Sequence, residues 1–494
     1  MGLSANAEKA VQELVANQLR TLMNAKEPIV EAEIVHTGDK LILPHGVSLQ
    51  QAKGLIERRM AYEDEVVQLN ETFDVFPWDG AHALNEVLTA MYGWAPATAT
   101  PGFWGDNPPQ LHNIDVGPNG EKKAVPWGTF QLPNVKGNVS CDASRKEGRL
   151  VFKIEAEVKR ESQPVVERLF AEVRKFLKTG SIYQGKAIRV RFRDENGKPL
   201  VMPEPKFMRT DDIDENQLVY SRVVQSTIET NLFTPIKRVR ELRANGLAVK
   251  RGVLLAGPYG TGKTLAAKVA SKFAVQAGVT FLYVTRADEL ADAIKFARQY
   301  EEPACVIFCE DIDRVLDGER STEMDDILNI IDGIDSKRSN IITVLTTNHL
   351  EGIHPAMLRP GRLDAIIDVK APDAEAVQRL LRVYGGQSVD EDTDLSTVGR
   401  LLDGEIPAVI AEVVSRAKLS QLSMNEPGEP VTSLSAAALE DAAHTMVMQR
   451  NILSQQAKQP REPSDLEFTM RSVVSEVLDS AMDGIANTVL EKLR

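Results

Sequence analysis

This sequence has few cysteines, no long hydrophobic run and no paired zinc-binding histidines. Only three cysteines occur among 494 residues, and the seven histidines include no His-Glu-x-x-His. A built-in zinc protease is therefore unsupported, and so few cysteines are typical of a reducing compartment. The sequence shows no secretory leader and no run of about 18 apolar residues. We therefore expect a cytoplasmic protein with no membrane span or membrane anchor.

Positive charge is also scarce. The chain has 58 Lys and Arg against 71 Asp and Glu, which gives a formal net charge of −13. This balance disfavours nonspecific binding of the whole molecule to nucleic acid, although a local basic channel keeps nucleic acid open as a partner. The 43% of hydrophobic residues is normal for globular cores, and the length predicts roughly two to four domains.

The first 210 residues predict a mixed α+β region that selects the substrate or partner. Ser48 and Gln51 form a capping box at the start of one helix, and Pro164 and Gly180 mark the two ends of another. The predicted elements, in chain order, are a helix near 5–25, a strand pair at 34–43, a helix at 48–67, an extended stretch at 73–78, a helix at 81–92, strands at 127–132 and 149–157, a helix at 164–178 and a strand at 187–193.

Residues 93–133 are rich in Pro and Gly, and we expect mostly loop there. Trp94, Trp104 and Trp127 lie inside this stretch, and Trp78 precedes it. Such aromatic side chains either pack back onto their own domain or grip a partner from an ordered surface loop. The sequence leaves both interpretations open.

A strand–loop–helix motif dominates the second half of the chain. The apolar run from Val253 to Ala256 predicts a buried strand, and apolar residues at helical spacing follow Lys263. The loop between them has glycines that let backbone N–H groups turn towards a phosphate at the start of a helix. We expect Lys263 to reach the β- and γ-phosphates of ATP, and the Thr264 hydroxyl to hold Mg²⁺. The expected nucleotide-binding residues are Gly257, Pro258, Tyr259, Gly260, Thr261, Gly262, Lys263, Thr264 and Leu265.

Two further apolar strands each end in polar residues. The run Cys305 to Cys309 leads into Glu-Asp-Ile-Asp at 310–313, and the run at 341–345 leads into Thr-Thr-Asn at 346–348. Carboxylates at such a strand end lie where Mg²⁺ and an attacking water are held. Residues 358–364 then read Leu-Arg-Pro-Gly-Arg-Leu-Asp. Together and in this order, over residues 220–419, these motifs resemble the AAA family of ring-forming ATPases.

The resemblance implies an α/β fold, in which a parallel sheet flanked by helices forms the motor and a helical lid follows. It also implies ATP hydrolysis with Mg²⁺ in a chaperone-like homo-oligomeric ring, expected to be a hexamer. Glu310 matches the acid that holds the Mg²⁺ water shell, Asp311 the base that polarises the attacking water, and Asn348 the γ-phosphate sensor. Arg362 matches the arginine finger given to a neighbouring subunit, and Arg359 is a second candidate.

The two acids stand in an unusual order. Most of the family has Asp then Glu, whereas this chain has Glu310 then Asp311. This order, with Asp-Gly-Ile at 332–334 and Thr-Asn-His at 347–349, is most similar to the branch of ATPases that assembles the respiratory cytochrome complex. A base that is one methylene short predicts slow turnover unless the backbone compensates.

Four segments are expected along the chain. They are a recognition region at 1–210, a large ATPase subdomain at 211–385, a helical lid at 386–425 and a helical extension at 426–494, with helices at 434–454 and 466–493. The extension either docks on the chain's own lid or contacts a partner or neighbouring subunit.

One absence shapes the predicted function. Threading members of the resembled family carry an aromatic pore loop and a full helix before the acidic strand, whereas this chain has only residues 291–303 there. Phe296 is the one aromatic that could substitute, and it falls inside the helix predicted at 291–300. We therefore expect an ATPase that remodels or disassembles a protein partner without aromatic threading. Three alternatives stay open: a protease-linked unfoldase, a motor acting on nucleic acid, and a slow nucleotide-gated scaffold.

Overall fold

A computed structural model describes residues 35–37, 40–42, 48–93, 97–312, 339–350, 363–426 and 428–458. The predictions that lie outside these residues are the helices near 5–25 and 466–493, the motif at 332–334, Trp94, Asp313, Arg359 and Arg362. The described chain forms two compact units. The first contains the residues up to Arg209 together with 278–282 and 291–305, and the second contains the others.

The first unit begins with the predicted strand pair and the capped helix. Strands β1, Val35–Thr37, and β2, Lys40–Ile42, pair antiparallel. Helix α1 spans Leu49–Glu63, and its capping box is present, since Gln51 N donates to Ser48 Oγ and Ser48 N donates to Gln51 Oε1. The predicted extension of this helix to residue 67 is wrong. Val66–Phe73 instead forms strand β3, whose residues alternate between two faces of a sheet.

An antiparallel sheet organises the first unit. Strands β4, Gln110–Asp115, β5, Lys122–Phe130, β6, Gly137–Lys146, and β7, Arg149–Lys159, join β3 in the order β3–β7–β6–β5–β4. Residues 93–133, expected to be mostly loop, therefore contain two strands, and β6 has no counterpart among the predicted strands. Pro126 is tolerated inside β5 because it lies opposite Leu111 and before the β5–β6 ladder begins at Gly128, so its missing N–H removes no ladder bond.

Two helices pack on this sheet and on each other: α2, Pro77–Tyr92, and α3, Gln163–Leu177. Each has a proline in its first turn, and α2 begins four residues before the predicted position 81 because Pro77 occupies that turn. The buried side chains between the helices and the sheet include Leu84, Leu88, Phe130, Ile154, Leu169 and Val173. Trp78 is buried too, which confirms for this tryptophan the interpretation that it packs onto its own domain.

The phosphate-binding loop belongs to another sheet. Its strands are β8, Ala187–Arg189, β9, Lys206–Phe207, β10, Arg251–Ala256, β11, Thr280–Val284, β12, Cys305–Cys309, β13, Ile341–Thr347, and β14, Ala365–Asp368. They lie in the order β14–β10–β13–β12–β11–β8–β9. β10 runs parallel to β13 and β14, whereas β8 and β9 pair antiparallel. The strand predicted at 187–193 ends earlier, at Arg189, and Arg193 bridges to Pro199 across the turn at 194–197.

Helices accompany the parallel strands. They are α4, Arg222–Ile228, α5, Thr234–Lys237, α6, Val239–Ala244, α7, Lys263–Gln276, and α8, Leu290–Ala297, with a π-helical turn at Glu229–Phe233. This is the predicted α/β arrangement of parallel strands flanked by helices.

A helical subdomain follows the sheet. It consists of α9, Ala374–Gly385, α10, Ser396–Leu401, α11, Pro407–Met424, and α12, Ala436–Lys458. One core joins the four helices, since Leu439 and Ala443 of α12 are buried with Leu380, Val398 and Ile410. The first helix of the C-terminal extension therefore docks on the chain's own lid. Within the part of the chain that the structure describes, no helix is both long and apolar enough to span a bilayer.

A buried carboxyl ties residues 291–305 into the first unit. Asp79 in the first turn of α2 accepts hydrogen bonds from Ser181 Oγ (2.6 Å) and Ile182 N (2.9 Å), and its side chain also bonds with that of Tyr300. The Tyr300 hydroxyl in turn accepts a hydrogen bond from Phe76 N at 3.0 Å. Burial raises the pKa of Asp79 to about 6, against an ordinary value of 3.8.

This raised pKa makes the stability of the first unit depend on pH. Below pH 3.8 the carboxyl is protonated in both states, whereas above about pH 6 the folded state must hold a buried charge. The free energy of unfolding should therefore fall by about 3 kcal/mol as the pH rises through this window. Asp79→Asn should remove that fall. Urea denaturation followed by tryptophan fluorescence reports on this unit because the three described tryptophans, Trp78, Trp104 and Trp127, lie in it; parallel profiles for both proteins would contradict the prediction.

Candidate nucleotide-binding and hydrolysis site

Glycine and two neighbouring strands fix the path of the phosphate-binding loop. Gly257 N donates to Thr347 O at 3.2 Å, and Val369 N donates to Ala256 O at 2.6 Å. A Cβ on Gly257 would lie 2.2 Å from Val369 O, so no larger residue fits this approach. Gly262, just before α7, has a φ of 97°, in the left-handed region that favours glycine. The motif thus has the strand–loop–helix setting that the sequence predicts.

Lys263 is buried inside this loop. Its Nζ donates to Gly257 O (2.7 Å), Pro258 O (2.8 Å) and Asn348 Oδ1 (2.9 Å). A buried ammonium group is stable only with such acceptors around it, and its charge is the one that phosphate oxygens bind strongly. The structure therefore brings Lys263 and Asn348 together, as expected for two groups that act on one phosphate.

Thr264 and Glu310 also meet. The Thr264 hydroxyl donates to Glu310 Oε1 at 2.5 Å. Hydroxyl and carboxylate oxygens are the ligands that Mg²⁺ prefers, directly or through its waters. The first acid of the pair thus lies beside the residue predicted to hold the metal.

Asp311 faces a different partner. Asn348 Nδ2 donates to Asp311 Oδ1 at 2.9 Å, while Asp311 N donates to Thr346 Oγ1 at 3.1 Å. The φ of Asp311 is 47°, a left-handed value that is uncommon outside glycine and less costly for Asp than for most residues. The carboxylates of the adjacent residues Glu310 and Asp311 therefore have different partners: Glu310 contacts Thr264, and Asp311 contacts Asn348.

Two residues near the loop have no counterpart in the predicted site. The Tyr220 hydroxyl donates to Gly262 O at 3.0 Å, and Arg379 Nη2 donates to Tyr220 O at 2.6 Å. Burial raises the pKa of Tyr220, so it stays a neutral donor. Ile406, at the start of lid helix α11, lies 3.1 Å from the position of a Cβ on Gly260. Both residues are far from the motif in sequence and follow no pattern, so only the fold reveals them.

Of the other predicted site residues, the structure describes Tyr259, Thr261 and Leu265 but not the two arginines. Thr261 is buried, and its hydroxyl donates to Pro258 O at 2.9 Å. Tyr259 is exposed at the loop tip, and Leu265 is half-buried in the first turn of α7. Arg359 and Arg362 lie outside the described residues, so their role as arginine fingers stays a prediction.

The cysteines beside the site are structural. Cys305 and Cys309 are buried in β12, and burial raises the pKa of both thiols. A protonated, buried thiol is a poor nucleophile and a poor metal ligand. Among the described residues, no group of three or more His, Cys, Asp and Glu side chains is placed to hold a metal ion. Mg²⁺ would therefore depend on Thr264, Glu310 and the phosphates of a nucleotide.

The residues present fit ATP and Mg²⁺. The loop has a glycine cradle that a Cβ would fill at Gly257, a buried ammonium group at Lys263 and a hydroxyl–carboxylate pair at Thr264 and Glu310. Together they let the backbone come close to the phosphates, and they supply the positive charge and the oxygen ligands that a nucleotide with its metal requires.

Lys263→Ala should weaken ATP binding by about 10- to 150-fold, because a charge-assisted contact to phosphate contributes about 1.5–3 kcal/mol. Equilibrium dialysis with labelled ATP measures the change. Lys268→Ala is the matched control, since this exposed lysine lies on the same helix and should leave affinity unchanged. Equal affinities of the Lys263 variant and the parent protein would show that the loop binds no phosphate.

Comparison with known proteins agrees with this geometry. Residues 253–371 match the model of the ATPase family associated with various cellular activities, AAA. Three similar curated proteins are each named ATP-dependent zinc metalloprotease FtsH. The one from Rhodococcus erythropolis is 34% identical over 225 residues, 42% of this chain and 25% of the relative. The one from Rubrobacter xylanophilus is 32% identical over 230 residues, 42% and 35% of the two chains. The third, from Mycobacterium tuberculosis H37Rv, is 32% identical over 240 residues, 44% and 30% of the two chains.

The similarity is confined to part of each protein. The chain spans between 25% and 35% of the length of these three relatives, and the family model covers the phosphate-binding loop, both acids, Asn348 and the stretch with Arg359 and Arg362.

Proposed function

We propose that this chain, which contains an AAA ATPase domain and hydrolyses ATP with Mg²⁺, is one subunit of a homo-oligomeric ring that remodels or disassembles a protein partner without aromatic threading. The ring is expected to be a hexamer, since members of the AAA family form hexameric rings. The first unit selects the partner, and ATP hydrolysis in the second unit drives its release.

The side chains have separate roles in this proposal. Mg²⁺, when bound, neutralises charge that develops on the phosphates. Thr264 and Glu310 would hold it, Glu310 through its water shell, and Lys263 would offset charge on the β- and γ-phosphates. Asp311 accepts a proton from the attacking water, and Asn348, whose amide already bonds to Asp311, orients the water or the γ-phosphate. Arg362 completes the site of a neighbouring subunit.

The observation that carries the proposal is the burial of every aromatic side chain between α7 and β12. Phe281, Tyr283, Phe296 and Tyr300 are each no more than 6% exposed. Phe296 lies in α8, where its ring packs against Phe76 at a centroid distance of 5.1 Å and against Tyr300 at 5.1 Å. A side chain held in a core cannot intercalate between substrate residues, so Phe296 does not substitute for a pore aromatic.

A second candidate function is a protease-linked unfoldase. The names of the similar proteins favour it, since each is an ATP-dependent metalloprotease. The printed sequence lacks His-Glu-x-x-His, so in this case the peptidase would lie outside the printed sequence. ATP-dependent degradation of a folded substrate after adding a candidate peptidase would favour this function over remodelling.

The finer assignments stay predictions. The similar proteins named above are metalloproteases, so similarity to the branch that assembles the respiratory cytochrome complex depends only on the order of Glu310 and Asp311 and on the motifs at 332–334 and 347–349. A cytoplasmic location and a protein as the partner are likewise proposed.

An affinity measurement tests the proposed function. A partner captured on the ATP-loaded Asp311→Asn ring should bind the ATP state about 5- to 150-fold differently from the ADP state, because coupling between sites has this range. Equal affinity in both states would contradict remodelling, since such a cycle cannot shift the partner's equilibrium.

A further inference from the structure

A short hairpin in the first unit carries two exposed aromatic rings. Thr100 N donates to Asn107 O (2.9 Å) and Asn107 N donates to Thr100 O (2.8 Å), which closes the hairpin. Phe103 and Trp104 at its tip are 91% and 95% exposed, and their rings meet edge to face with centroids 5.0 Å apart. Large aromatic rings left together in water are a common mark of a binding surface.

Both ends of the hairpin are fixed to the same strand. Thr98 exchanges two main-chain hydrogen bonds with Gln131, which directly follows β5, and Gln110 pairs with Trp127 inside β5. The backbone that carries the two rings is therefore held in place before any partner binds. Pre-organisation of this kind lowers the conformational entropy that binding removes.

Strand β4, which follows the hairpin, is the edge of its sheet. Leu111 lies opposite Pro126, which has no N–H, so these two residues cannot form a hydrogen-bonded pair. Because hydrogen-bonded pairs alternate with non-bonded ones, Leu111 and Asn113 direct their N–H and C=O groups away from β5. Among the described residues, none bonds to these outward main-chain groups. The residues from Gln110 to Asn113 are exposed as well.

The unpaired main-chain groups at this strand edge favour a polypeptide as the ligand. A row of N–H and C=O groups at strand spacing is matched by another extended backbone. Residues 97–111 contain no Lys or Arg, and Asp106 is their only charged residue. They therefore offer no cation to the phosphates of nucleic acid or to an anionic lipid surface. Leu111 adds a 59% exposed apolar side chain on the strand that follows the hairpin.

We propose that the outer edge of β4 and the rings of Phe103 and Trp104 form one docking site for an extended segment of a protein partner. The segment adds a strand to β4 through main-chain hydrogen bonds and lays its apolar side chains against the two rings. This site would be where the partner of the proposed function binds. That the bound protein is the one remodelled rests on the proposed function. Binding itself needs no ATP, so the two proposals fail separately.

The test uses the full chain without nucleotide and a panel of fluorescein-labelled ten-residue peptides with alternating apolar and polar residues. Fluorescence anisotropy should show saturable binding of some of them. N-methylation of alternate peptide nitrogens removes main-chain donors at unchanged sequence, and it should weaken binding at least about tenfold. The double variant Phe103→Ser, Trp104→Ser should weaken binding by a similar factor, because exposed rings carry no folding role.

A proline at the edge separates main-chain docking from side-chain contact. Asn113→Pro removes one outward N–H at a position where an edge strand accommodates proline, and it should also weaken binding about tenfold, whereas Asn113→Ala should not. Equal binding of methylated and unmethylated peptides, or unchanged binding by the double variant, would overturn the proposal. It would also be overturned if phosphatidylcholine vesicles but no peptide shifted the tryptophan emission. The same holds if Asn113→Pro, but not Asn113→Ala, lowered the number of chains per assembly in sedimentation, because a second copy of the chain would then occupy the edge.

Discussion

Arg362→Ala should lower ATP turnover by a factor on the order of 10³ to 10⁵, the range that an arginine finger contributes. The residue stands in Leu-Arg-Pro-Gly-Arg-Leu-Asp at 358–364, within the stretch that matches the AAA family model. Because the finger is expected to act on a neighbouring subunit's nucleotide, the specific activity of the parent protein should rise with protein concentration. Steady-state phosphate release across the assembly range measures both effects.

Mixing variants gives the control for action in trans. Arg362→Ala subunits keep an intact Asp311, and Asp311→Asn subunits keep an intact Arg362, so mixed interfaces should regain part of the turnover that each variant lacks alone. Arg359→Ala should have the smaller effect if Arg362 is the finger. A specific activity that stays flat with concentration in a monomeric protein would count decisively against the ring.

Asp311→Asn should lower turnover by about 10²- to 10⁴-fold while ATP still binds, because a positioned general base contributes that much. The amide keeps the shape of the carboxylate and removes its ability to accept the proton. Single-turnover hydrolysis and ATP binding, measured on the same preparation, separate the two steps.

Glu310→Gln is the matched control for the neighbouring acid. Glu310 contacts Thr264 rather than Asn348, so this variant should need more Mg²⁺ for half-maximal activity. If Glu310→Gln instead traps ATP while Asp311→Asn keeps near-normal turnover, the two acids have exchanged roles.

The backbone at Asp311 bears on how fast the parent enzyme turns over. A base that is one methylene short can lose about a hundredfold in rate if it misses its position by about 1 Å. The left-handed φ of 47° at this residue and its 2.9 Å bond from Asn348 show that the short carboxylate still reaches the sensor. This supports compensation by the backbone over an intrinsically slow nucleotide-gated scaffold.

Local signals in the sequence predict the loop at 257–264 and the strands that lie beside it. The loop at 257–264 and the strand Cys305–Cys309 follow from glycine spacing and an apolar run, and the contacts of Lys263, Glu310 and Asn348 follow from the strand ends. These features depend on residues close in sequence, and parallel strands bring their carboxyl ends to one edge.

Other features depend on partners distant in sequence. Tyr220 and Ile406 reach the loop only through the fold. The sequence does not predict strand β4 or the first part of β5, because the Pro and Gly residues there suggest loop, whereas Pro126 occupies a position that needs no N–H. The sequence also places Phe296 in a helix without showing that the helix is buried against Phe76 in the first unit.

The most direct test of the central claim is to fuse a stably folded fluorescent reporter to the captured partner and to follow both during ATP turnover. We expect ATP-dependent release of the partner with reporter fluorescence unchanged, because the buried Phe296 and Tyr300 leave no aromatic grip between α7 and β12 for pulling a chain. Asp311→Asn should abolish the release and leave the complex intact. ATP-dependent loss of reporter fluorescence by the parent protein, absent in Asp311→Asn, would show that the ring unfolds and threads its substrate.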